Sequence, residues 1–189
     1  MTTLDTEIRA CRLCEADLPH EPRPVFAIHP QAKVLIAGQA PGRKVHEHGV
    51  AFDDASGDRL REWMGIGRTT FYDPTAVAIV PMGFCYPGKG KSGDLPPLPR
   101  CAETWRSRVL ATLEQIRLTL IIGQYAQRWH LPDASRSVTD AVRDWRQYPA
   151  NTFVLPHPSP RNNIWLKKNP WFANEVLPML RDRVAAALQ

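Results

Sequence analysis

Four short apolar runs limit what this chain can fold into. They are Val34-Leu35-Ile36-Ala37, Thr75 to Val80, Leu118 to Ile122 and Thr152 to Leu155. Each is short for a helix and the right length for a strand covered on both faces. Each ends abruptly in glycine or proline: Gly38-Gln39-Ala40-Pro41-Gly42, Pro81-Met82-Gly83, Gly123, and Pro156-His157-Pro158. Between them lie segments with helical spacing of apolar residues, such as Leu60, Trp63 and Met64 within 55–64 and Trp105, Val109 and Leu113 within 101–116. Strands alternating with helices predict an α/β fold. The expected architecture is a single domain over residues 1–189, with a central four-stranded, mostly parallel sheet and helices on both faces. In such sheets a ligand site lies beyond the carboxyl ends of the strands. Two polar clusters converge there, one around Gln39 and one around His157.

The rest of the chain punctuates this frame. Thr3 to Cys14 reads as a short helix, Tyr86 to Pro99 as a loop with little to pack, and Ser137 to Trp145 as a short helix. A last helix is expected from about Pro170 to Leu188, bent or broken by Pro178. The 189 residues include 18 prolines, so much of the chain must be ordered connection. No apolar run approaches the ~20 residues of a membrane span, and the first residues lack a basic and then apolar leader. A cytoplasmic protein with no membrane partner is the expectation. The net charge of +5 fits a polyanion partner without demanding one.

Four cysteines stand at Cys11, Cys14, Cys85 and Cys101, the first two forming C-x-x-C. Without an export signal, such a set reads better as a metal or cluster site than as disulfides. Four thiolates suit tetrahedral zinc or an iron–sulfur cluster, and the spacing does not separate the two.

The stretch Lys33 to Phe52 draws these signals together: a strand, a two-glycine turn carrying Gln39, then the aromatic Phe52. At this point the motifs resemble those of the uracil-DNA glycosylase superfamily, in particular its iron–sulfur prokaryotic branches, families four and five. The resemblance covers nearly the whole chain. GQAPG at 38–42 looks like the first motif, usually GEAPG in family four and GLAPG in family five. GVAFDDASGDRL at 49–60 looks like the segment carrying GDASGD in family five. HPSPRN at 157–162 looks like the second motif, and the cysteine spacing matches the cluster pattern. The resemblance implies a 4Fe–4S cluster on Cys11, Cys14, Cys85 and Cys101, structural rather than catalytic. It implies hydrolysis of an N-glycosidic bond in DNA by a monofunctional enzyme, acting on double- or single-stranded substrate as a monomer in the cytoplasm, near the nucleoid.

The same resemblance assigns expected roles. His157 donates to the leaving base, and Phe52 stacks on it beside Gly38. Asp54 matches the catalytic carboxylate of the DASGD string, with Asp53 as the alternative because the segment is one residue shorter than the pattern. Arg161, Asn162 and Asn163 sit where the family wedges the duplex, with Lys167 and Lys168 toward phosphates and Lys89 and Lys91 adding contacts. Two departures stand out. Gln39 occupies the position of the family-four carboxylate; glutamine orients water but takes no proton at neutral pH. The stretch Val80 to Phe84 carries no amide where the family reads the uracil edge with asparagine. Base reading then falls to Gln39, His46 or His48, and a broader choice of base follows, with hypoxanthine or xanthine beside uracil. The rival expectation is a non-catalytic iron–sulfur protein that binds uracil-containing or damaged DNA.

Overall fold

The expected strands form and are flanked by short helices. The computed structural model describes residues 3–131 and 137–189. Helix α1 (Thr3–Arg9) leads to β1 (Val34–Ala37), α2 (Arg43–His48), α3 (Ala55–Met64), α4 (Arg68–Tyr72) and β2 (Val77–Ile79). A small hairpin follows, β3 (Lys89–Gly90) and β4 (Gly93–Asp94), and then α5 (Pro99–Leu110) and β5 (Leu118–Ile122). The chain closes with α6 (Gly123–His130), α7 (Val138–Arg143), β6 (Thr152–Leu155), α8 (Asn163–Lys168) and α9 (Leu177–Leu188). The main sheet runs β2-β1-β5-β6, and every pairing in it is parallel.

Alternation along the strands explains the two layers of helix. Val34, Ile36, Val77 and Ile79 join one core with Leu60, Trp63 and Phe172, while Leu35 and Ala78 join a second with Ile8, Trp105 and Val109. Successive side chains on a strand point to opposite faces, so the runs of β1 and β2 feed both cores, while the buried residues of β5 and β6 belong to the first. The first core holds α3 and α9 and the second α1 and α5, which puts helices on both faces as expected. Among the described residues no helix is long and apolar enough to cross a membrane.

Several boundaries differ from the expectation, each for a local reason. Helix α1 stops at Arg9, so Cys11 and Cys14 lie in the turns beyond it rather than on the helix. Helix α5 stops at Leu110, because the Thr112 hydroxyl donates to the Val109 carbonyl and the chain tightens into turns there. Residues 86–99 are no bare loop. Tyr86 is buried, and positive φ at Gly88 and Gly93 (103° and 149°) lets the β3–β4 hairpin form between them. The final helix is interrupted as Pro178 requires: a wide π turn, Phe172–Val176, precedes α9 and accommodates the missing N–H.

Candidate active site

A cleft of about 430 Å³ opens beyond the carboxyl ends of β1, β2 and β6. Its floor is the Gly38–Gly42 turn, joined to the end of β2 by backbone bonds from Met82 N to Gly38 O and from Gly83 N to Gln39 O, both 2.9 Å. A buried guanidinium holds the neighbouring wall: Arg106 of α5 donates to the carbonyls of Val80 (3.0 Å) and Pro81 (3.3 Å). The cleft brings together Gly38, Gln39, Phe52, Asp54, His157, Arg161 and Asn162.

His157 follows β6 directly. Its Nδ1 accepts the Ser159 backbone N–H (3.2 Å), and Asn162 Nδ2 donates to the His157 carbonyl (2.7 Å). Burial pushes its pKa down, against the opposing pull of Asp54 and Asp94. A neutral ring whose Nδ1 accepts must carry its proton on Nε2. The ring is therefore a fixed hydrogen-bond donor at Nε2.

Asp54 and Asp53 are separated by their surroundings. Asp54 caps α3, its Oδ1 accepting from Gly57 N at 2.9 Å, and it lines the cleft. Asp53 faces away: Arg68 lies 3.0 Å from it and His48 Nδ1 3.7 Å, and it does not line the cleft. Phe52 precedes them in the left-handed region, at φ 54°, uncommon for any residue with a side chain. Two neighbours hold it there. Gly57 leaves the space the Phe52 carbonyl occupies, for a Cβ at 57 would lie 1.7 Å from that oxygen; Arg61 donates to the same oxygen at 3.3 Å. The bend carries the Phe52 ring over Gly38, edge-on to Phe71.

Other expected residues lie outside the cleft. His46 packs behind it against His20 and Tyr86, and His48 is exposed beside Asp53, so neither lines the base-sized space. Asn163, Lys167, Lys168, Lys89 and Lys91 are also outside the lining; Lys167 and Lys168 are exposed at the end of α8. Two residues escaped sequence reasoning. Asp94, from the hairpin, lines the cleft; the glycines Gly88 and Gly93 around a charged tip were the available signal. Arg59 of α3 donates to the Ser159 carbonyl (3.0 Å) and to Asn163 Oδ1 (2.8 Å), tying the Asp54 helix to the His157 loop.

The four cysteines line one apolar cavity with Leu18, Pro22, Phe84, Leu98 and Trp105. Burial pushes the thiols of Cys85 and Cys101 up to about 11 and about 12, and raises Cys14 as well. Phe84 N donates to Cys101 Sγ at 3.3 Å. Among the described residues, no three His, Cys, Asp or Glu side chains converge on a point that would hold a single metal ion.

The family model of the uracil DNA glycosylase superfamily matches residues 26–181, from the segment before β1 into α9. The chain belongs to that superfamily. Uracil DNA glycosylase superfamily proteins are hydrolases that act on DNA in repair, so DNA is the partner and glycosidic-bond cleavage the class of chemistry. The matched span contains every cleft residue from Gly38 to Asn162; of the lining, Val25 alone lies just before it.

Proposed function

We propose that this protein is a monofunctional DNA glycosylase that hydrolyses the N-glycosidic bond of uracil or another deaminated base, such as hypoxanthine or xanthine. The observation that carries the reading is His157, its Nδ1 taken up by the Ser159 N–H, in one cleft with the Asp54 carboxylate. The target nucleotide leaves the duplex and enters the cleft. Phe52 packs on the base face. As the C–N bond breaks, negative charge grows on the base, and the His157 Nε2–H donates to its carbonyl oxygen. Asp54 holds the attacking water with its free oxygen, and its charge favours the developing cationic sugar. Gln39 orients the base or the water but takes no proton. Arg161 and Asn162 meet the duplex at the cleft mouth, with Asn163, Lys167 and Lys168 beside them.

Cys11, Cys14, Cys85 and Cys101 are assigned to a structural 4Fe–4S cluster. The donor set fits: four thiols on one apolar cavity, a backbone N–H on one sulfur, and thiols that burial keeps protonated unless a positive centre takes up their charge. Bound there, the cluster would tie Cys11 and Cys14, after α1, to Cys85 and to Cys101 of α5; the glycosidic bond is broken by the cleft residues. Purified protein is expected to be brown and to contain iron and acid-labile sulfide in equal amounts. Zinc in their place would overturn the assignment.

The deciding experiment is release of free base from duplexes that each carry one deaminated base, with His157→Ala and Asp54→Asn as controls. Release by the wild type that both variants lose supports the glycosylase. Tight binding of the same duplexes without release would make the protein a damage binder, a reading favoured by Gln39 and by the missing amide at 80–84.

A further inference from the structure

The polar groups around the cleft differ in what they can offer a base. His157 offers a donor, and Gln39 offers a donor and an acceptor. One Asp54 oxygen is committed to Gly57 N. The wall at the end of β2 offers no side-chain hydrogen bond: Val80, Met82 and Phe84 are buried, and Val25, Ile79 and Pro81 face the space. Ser56, Ser159, Asn162 and the cations Arg43, Lys44 and Arg161 also line the space, and each can donate; Asp94 is the carboxylate of the lining besides Asp54, and it accepts only.

Asp94 is held in place. It pairs with Lys89 across the hairpin, and Leu95 N bonds the Gly88 carbonyl at 2.8 Å. The hydroxyl of buried Tyr86 donates to its Oδ1 at 3.4 Å. Arg161 anchors the hairpin tip from the far wall, donating to the Ser92 carbonyl at 3.3 Å. Asp94 Oδ2 then overhangs the floor, 3.5 Å from where a Cβ on Gly42 would lie. The influence of Asp94 on His157 puts the two within electrostatic reach across the cleft.

We propose that Asp94 reads the edge of the flipped base, and that its acceptor-only carboxylate selects hypoxanthine over uracil and xanthine. The proposal rests on the base-binding role assigned to the cleft above. The chemistry follows from the edges. In hypoxanthine the N1–H stands between one carbonyl and a C–H. One carboxylate oxygen accepts the N–H, the other faces the C–H, and the Gln39 amide can donate to the carbonyl. In uracil and in the matching edge of xanthine the N–H stands between two carbonyls. The second carboxylate oxygen then meets a carbonyl oxygen, an acceptor against an acceptor with no proton between them. A neutral amide at the same position removes the clash, because its NH2 donates to that carbonyl. Guanine also satisfies the carboxylate, so the informative comparison is among the three deaminated bases.

The test measures binding, not turnover. Duplexes carry uncleavable 2′-fluoroarabino nucleotides of hypoxanthine, uracil or xanthine opposite the same abasic spacer, so that unpairing costs match. The wild type is expected to favour hypoxanthine over the other two by about tenfold or more. Asp94→Asn is expected to shift the hypoxanthine-to-uracil ratio toward uracil by a similar factor, and Asp94→Ala to flatten it. An unchanged ratio in Asp94→Asn, or a wild type with equal affinity for all three, overturns the proposal. Absence of base release from cleavable duplexes would instead overturn the glycosylase reading and leave the binding ratios to decide the role of Asp94.

Discussion

Asp53 gives its carboxylate to Arg68 and His48, while its neighbour Asp54 caps α3 with one oxygen and presents the other to the cleft. The sequence leaves the pair open, since DASGD names Asp54 and the shortened segment allows Asp53. Environment separates them. Asp54→Asn is expected to lower single-turnover base release by at least ~10²-fold, the usual contribution of a general base. Asp53→Asn loses only a partly exposed ion pair and should stay within about threefold of the wild type. His157→Ala removes the imidazole donor to the leaving base and is expected to cost ~10²–10³-fold. Equal losses in the two aspartate variants would show that Asp53 shares the chemistry. Arg59→Ala adds a milder case: α3 and the His157 loop lose their link, so kcat is expected to fall about tenfold with the cleft chemistry intact.

The turn between Phe52 and Gly57 is the element on which the site depends. Phe52 sits at φ 54°, a conformation that costs ~1–3 kcal/mol, and it is kept there by contacts that no other residue type at 57 allows. Gly57→Ala would place a Cβ 1.7 Å from the Phe52 carbonyl oxygen, within covalent range of a backbone atom that cannot move without moving the ring. The expected result is a loss of about 3 kcal/mol or more, which for a chain of this size lowers Tm by roughly 10 °C, with base release lost alongside. A Gly57→Ala variant with wild-type Tm would mean the turn relaxes freely. The elements also show what the sequence reveals and what it hides. The four strands are plain because buried parallel strands read as continuous apolar runs that stop at glycine or proline. Gly38, Gln39, Phe52, Asp54 and His157 are plain because short motifs sit at the strand ends. Asp94 is hidden: a carboxylate in a glycine-rich turn looks like any solvated loop residue. The hairpin pairing with Lys89, the Tyr86 hydroxyl, and the Arg161 bond to the Ser92 carbonyl, 69 residues away, bring it over the floor. The stops of α1 and α5 are hidden for the same reason, since apolar spacing continues past the point where local hydrogen bonds end the helix.

At the scale of the molecule, the net charge of +5 suits a polyanion partner, and the interior depends on neutral histidines. Lys167 and Lys168 stand exposed at the end of α8, and replacing both with alanine is expected to reduce the slope of log affinity against log salt by about 2, one counterion per lost phosphate contact. An unchanged slope would place the DNA elsewhere. The interior makes the stronger demand. Arg106 of α5 is buried, its pKa pushed down to about 10 by that burial, and it donates to His130 Nε2 as well as to the carbonyls at the end of β2. His130 can accept only while neutral. Burial first, and then the neighbouring guanidinium, lowers its pKa to about 4. An unfolded histidine takes its proton near 6.5, so between these values the unfolded chain binds protons that the folded chain refuses. Stability from this group is therefore fully present above about pH 6.5 and is lost as pH falls toward 4, by about 3 kcal/mol over the window. His157 shifts in the same direction and adds to the loss. The clean comparison is His130→Gln, whose side-chain oxygen accepts from Arg106 without titrating. Tm measured from pH 7.5 to 4.5 is expected to fall more steeply in the wild type than in this variant. Parallel curves would mean that His130 is solvated or unpaired in the folded protein. A steeper wild-type curve means that the wall of the cleft at Val80 and Pro81 is held by a pair that works only while its histidine stays neutral. Base release should then weaken with acid at the same pH at which the fold begins to soften.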